Sequence, residues 1–100
     1  MISVDEKKIV YGHVFDIGID EPVYTSGVVC RLLGIPVWVL KQLDREEIVS
    51  PPRKKGRSRL YSKHELDRLS HIWYIMKEKR VKVTGIKYVL EMEAQLYRGV

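Results

Sequence analysis

Apolar positions recur at helical spacing in four parts of the 100-residue chain, with short β-prone runs between them. Val28, Val29, Leu32 and Leu33 fall at i, i+1, i+4 and i+5, the face of a first helix. Tyr24-Thr25-Ser26 just ahead supplies hydroxyls able to cap its first amides. Gly34 is the expected stop, because glycine takes the left-handed position after a helix without a Cβ penalty. Pro36 suits the first turn of a second helix, predicted to run to about Glu47. Helix, glycine turn and helix within about 23 residues is helix-turn-helix spacing.

Beyond it, Ile48-Val49 and Arg59-Leu60-Tyr61 are β-prone, and Pro51, Pro52 and Gly56 between them are turn formers. The pattern predicts a β-hairpin with a long tip over residues 50–58, a wing. Ser62-Lys63-His64-Glu65 reads as a capping box, opening a third helix of about four turns that carries Leu66, Leu69, Ile72, Trp73 and Met76. Thr84 is expected to cap a fourth helix with Ile86, Val89, Leu90, Leu96 and Tyr97 on its apolar face. Two short apolar runs near the start, residues 9–11 and 14–17, predict a small hairpin or an ordered arm. The expected class is mainly α with a small β-hairpin wing, divided into an N-terminal arm (1–23) and a winged helix-turn-helix domain (24–100).

Charge sharpens this picture. Residues 1–49 hold five Lys and Arg against eight Asp and Glu (net −3), residues 50–63 six against none (+6), and residues 64–100 seven against five (+2). The positive excess is therefore one patch on the expected wing, the electrostatic footprint of a nucleic-acid binder. No apolar run approaches the roughly 20 residues that span a bilayer, and the polar "MISVDEKK" start is unlike a secretory signal. Cys30 is the only cysteine, so neither an internal disulfide nor a cysteine-based zinc site is available, and a reducing cytoplasm is the expected home. His13, His64 and His71 are scattered. No paired carboxylates, nucleophile elbow or glycine-rich phosphate loop is present, so neither an enzyme nor a cofactor is expected.

The string "YTSGVVCRLLGI…VLKQLDREEIVSPPRKKGRSRLYSKHELDRLSHI" resembles the winged helix-turn-helix of the MerR family. Leu40-Lys41 stands where that family has Leu-Arg, "RLYS" closes the wing, and "ELDRL" continues into the next helix. "DEPVY" and "RVKVTGIKYVLEM" are most similar to its heat-shock repressor (HspR) branch. The resemblance covers about residues 20–96. It implies a homodimer that reads an inverted repeat in double-stranded DNA, acts as a repressor, and has a chaperone co-repressor of the DnaK type. Helix two departs from the branch: Pro36-Val37-Trp38-Val39 replaces its polar first turn, leaving Lys41 and Gln42 as base or phosphate contacts. Glu47 stands where the branch has glycine.

Arg53, Lys54, Lys55, Arg57 and Arg59 are expected on phosphates, which fix register without carrying sequence information. Arg45 either touches the DNA backbone or forms a helix-surface ion pair. Tyr61 is expected to pack the wing onto the domain, its hydroxyl within reach of a phosphate. Trp38 is expected to be partly buried between helices one and two. An exposed Trp38 would instead meet DNA or a protein, and an apolar helix two is what a protein-interaction module on this fold would show.

Overall fold

The computed structural model describes residues 16–53 and 56–98. Its elements are strand β1 (Tyr24–Thr25), helices α1 (Ser26–Leu33) and α2 (Val37–Arg45), strand β2 (Leu60–Tyr61), and helices α3 (Lys63–Glu78) and α4 (Val83–Arg98). The anticipated hairpin or arm at residues 9–11 and 14–17 lies almost wholly outside the described residues.

Local chemistry sets most of the boundaries. The Thr25 hydroxyl accepts from the Val28 amide and caps α1, and Gly34 ends it at φ 66° with its N–H donating to the Cys30 carbonyl. Pro36, with φ −61° and ψ 143°, is the extended N-cap of α2, one residue before the first turn in which it is expected. The axes of α1 and α2 bend by 120° at this break, within the usual helix-turn-helix range. At the far end of α2 the Ile48 amide donates to the Leu43 carbonyl and the Glu47 amide to that of Asp44. This is a Schellman cap, and its left-handed position is filled by Glu47 at φ 58° rather than by glycine. The helix therefore closes at Arg45, two residues before the expected end. Ser62 and Glu65 form the full reciprocal capping box of α3. Helix α4 begins at Val83, so Thr84 lies inside its first turn and is not the cap.

Val29 of α1, Val39, Leu40 and Leu43 of α2, Leu69, Ile72 and Ile75 of α3, and Val83 and Ile86 of α4 are all buried in one core. Ile48, Val49 and Tyr61 close it. On α1 the inward side is Val29 with half-buried Cys30 and Leu33, while Val28 and Leu32 face outward. The expected four-residue face is thus only half correct, since a helix of eight residues packed at a steep angle buries a narrow stripe. On α4, Ile86, Val89 and Leu90 turn inward, whereas Tyr88, Met92, Leu96 and Tyr97 are exposed.

The two-stranded antiparallel sheet pairs Tyr24 with Tyr61 and Thr25 with Leu60. The partner of β2 is therefore the residue pair ahead of α1, and Ile48-Val49 is buried without strand pairing. Both apolar side chains are better satisfied beneath the loop than in a ladder that would leave alternate residues in water. Residues 17–23 extend this edge: the Val23 amide donates to the Tyr61 carbonyl, the His64 amide to that of Ile19, and Lys63 Nζ to that of Ile17.

Candidate nucleic-acid interface

Because α2 buries Val39, Leu40 and Leu43, its other side must face water. That side carries Val37, Trp38, Lys41 and Arg45, all exposed, with Gln42 half-buried at its edge. Trp38 is 60% exposed, which corrects the expectation of burial between α1 and α2. Val39, next in sequence, takes the core position, and 100° of rotation per residue carries Trp38 outward.

The segment 50–59 leaves α2 under close control. Pro51 is buried, and Arg53 and Arg57 are exposed, with Gly56 at φ 74° turning the chain between them. Lys54 and Lys55 lie outside the described residues. Arg59 differs from its neighbours. Its Nε donates to Asp44 Oδ2 at 2.8 Å, its Nη1 donates to the Pro51 carbonyl, and the two side chains of the ion pair are 28% and 25% exposed. Asp44 Oδ1 meanwhile accepts from the Ser50 hydroxyl at 2.6 Å. One carboxylate on α2 thus ties down both ends of the basic loop. The expectation that Arg59 stands on phosphates alongside Arg57 is corrected: its guanidinium is engaged inside the domain.

Tyr61 is also turned inward, only 2% exposed, with its hydroxyl near the Ser26 side chain. Burial, reinforced by the Asp44 carboxylate, pushes that hydroxyl above its ordinary value, which keeps it neutral. Tyr61 therefore packs β2 onto the domain, and burial withdraws its hydroxyl from solvent.

The fold adds cations that the sequence reading did not select. Lys77 at the end of α3, with Arg80 and Lys82 in the α3–α4 turn, lines the same cleft as Trp38 and Gln42. Their signal was present in "KEKRVK", residues 77–82, with four cations in six positions. Helix α2 accordingly lies between two basic segments, the loop tied to it at Asp44 and the turn that shares a cleft with Trp38. Glu47, exposed at the end of α2, is a carboxylate beside this face. Among the described residues no group of three His, Cys, Asp or Glu is placed to hold a metal ion, and no single helix is long and apolar enough to cross a membrane.

Similarity to known proteins runs through these same elements. Residues 24–93 match the family described as MerR HTH family regulatory protein. Over 77 residues the chain is 35% identical to the putative heat shock protein HspR of Streptomyces coelicolor, an alignment covering 77% of this chain and 51% of that protein. It is 31% identical over 72 residues to the HTH-type transcriptional regulator GlnR of Bacillus anthracis and of Bacillus cereus, covering 72% of this chain and 55% of theirs. The chain spans about half the length of these curated relatives.

Proposed function

The chain belongs to the MerR HTH family of regulatory proteins, and from that premise we propose that it is a DNA-binding repressor acting as a homodimer on an inverted repeat. Residues 24–100 form the DNA-binding domain and residues 1–23 an appended arm. The observation that carries the reading is the solvent face of α2, where Trp38, Lys41, Gln42 and Arg45 lie between two cation-bearing segments. A helix so flanked enters the major groove while the flanking cations hold phosphates on either side. Arg53 and Arg57, with Lys54 and Lys55, serve one flank, and Lys77, Arg80 and Lys82 the other. Sequence discrimination then falls to Lys41 and Gln42, to the contact of Trp38 with sugar or a thymine methyl, and to the deformation of the duplex.

The second subunit is supported by α4, whose Tyr88, Met92 and Leu96 recur every fourth residue and are exposed, with Tyr97 beside them. Such a stripe is buried by a symmetry mate in a two-fold dimer. A chaperone co-repressor is carried over from the resemblance to heat-shock repressors alone, with no residue assigned to it. Such a regulator works in the cytoplasm, with the DNA it reads.

The test is a duplex titration across salt, followed by footprinting on the best site. Affinity should fall with salt by about 0.9 in log–log slope per phosphate contact. Protection should cover two half-sites about 10 base pairs apart or a multiple of that. A salt-insensitive complex, or one protected half-site, would overturn the proposal. One observation favours a second reading: Val37 and Trp38 put two exposed apolar side chains at the start of α2. If Trp38→Ala keeps its DNA affinity and loses a protein partner, α2 is a protein-docking surface.

A further inference from the structure

The cleft between α2 and the α3–α4 turn has a composition that phosphate contact does not require. Its walls include both tryptophans of the chain, Trp38 and Trp73, and Met76, Val81 and Val83 add apolar surface. Its charged groups are of one sign: Lys77, Arg80 and Lys82 line it, and no carboxylate does among the described residues. Lys77 Nζ lies 5.8 Å from the centroid of the Trp73 ring, so one ammonium is held at the aromatic wall. The cleft is an open groove of about 640 Å³, within the range of small-ligand sites.

We infer that this cleft binds a small planar anion, an aromatic carboxylate or its like. The ring stacks against the exposed Trp38 indole, and the carboxylate meets Lys77 at the Trp73 wall and the other cations at the rim. A phosphodiester would use the rim and leave the apolar floor in water. A neutral aromatic would use the floor and leave three cations uncompensated. A flat amphipathic anion satisfies both. Trp38 and Gln42 belong to the DNA-facing helix, so an occupied cleft and a bound duplex exclude one another, and the ligand acts as an inducer. This last step rests on the DNA-binding reading, whereas binding of the anion does not.

The experiment uses the full chain and three probes of one shape: 2-naphthoate, 2-naphthylmethanol and 2-naphthylmethylammonium. Calorimetric titration should show 2-naphthoate binding at least about ten-fold more tightly than the other two, the worth of one charge-assisted contact. Trp38→Ala and the pair Lys77→Gln/Lys82→Gln should each weaken it by about the same factor. All of these positions are exposed, so the variants should fold, which their melting curves verify. Absence of heat with 2-naphthoate, equal binding of the three probes, or indifference to both variants would overturn the site. Displacement of a bound duplex by 2-naphthoate supports the inducer role. Binding of 2-naphthoate to a complex that keeps its duplex overturns that role while the site stands. A chain that takes 2-naphthoate but never binds duplex overturns the DNA reading.

Discussion

Replacing Arg59 and Asp44, singly and together, separates cations that hold the loop from cations that hold DNA. The Arg59 guanidinium gives one charge-assisted bond to Asp44 at 2.8 Å and another to the Pro51 carbonyl, in a pair about three-quarters withdrawn from water. Hydrogen bonds to charged groups contribute about 1.5–3 kcal/mol each, but the remaining exposure lets water compensate the partner left behind. Arg59→Ala and Asp44→Ala should each cost roughly 2 kcal/mol, lowering Tm by roughly 8–16 °C for a domain of this size. The double variant should cost about 1 kcal/mol less than the sum, because the pair is lost only once. Duplex affinity should also fall as the loop loosens, with little change in salt slope, since no phosphate contact is removed. Arg57→Ala should do the reverse: stability within about 0.5 kcal/mol and a slope flatter by about 0.9. Thermal melts and salt-dependent titrations of these variants decide the matter. If Arg59→Ala melts like the parent and its slope flattens as Arg57→Ala does, the assignment of Arg59 to Asp44 is refuted.

Three further outcomes are expected. Trp38→Ala should shift stability by no more than about 0.5 kcal/mol, because the side chain is exposed, while lowering affinity for the best site more than for random duplex; a loss of several kcal/mol on melting would mean the indole is core. Glu47→Gly should stabilise the fold by about 0.5 kcal/mol, as relief of a left-handed residue outweighs the added freedom of the unfolded chain, and should raise duplex affinity by removing a carboxylate; destabilisation would show that Glu47 makes a favourable contact. Tyr61→Phe should cost at most about 1 kcal/mol at neutral pH, by removing the buried hydroxyl that lies near Ser26. An unfolded tyrosine ionises near pH 10 and the folded one above that, so the parent is unaffected below pH 10 and loses stability as pH rises further. The gap between parent and Tyr61→Phe should therefore narrow above pH 10 in alkaline melts, and a constant gap would mean that Tyr61 ionises freely in the fold.

By itself the sequence determined the signals that act over one helical turn or less. A hydroxyl cap within Tyr24–Ser26, Gly34 as a stop, a start at Pro36 and the Ser62–Glu65 box all act on backbone groups within about one helical turn, so spacing brings them out, while the structure picks Thr25 as the cap. The mainly α class, the helix-turn-helix and the basic loop follow from the same short-range information joined to charge. Tertiary structure decided which faces are core and what each cation is for. Only Tyr24–Thr25 packed beside Leu60–Tyr61 reveals the partner of β2, because a two-residue strand carries too little pattern to name its mate. The outward turn of Trp38 depends on Val39 taking the core position, which apolar content cannot rank. Arg59 reads like Arg57 in the chain, yet Asp44, 15 positions earlier, claims it, since a guanidinium donates to a carboxylate or a phosphate equally well. The cleft that joins Trp38 to Lys77, Arg80 and Lys82 exists only because α4 folds back against α2, bringing a basic turn beside a helix some 40 residues away in sequence.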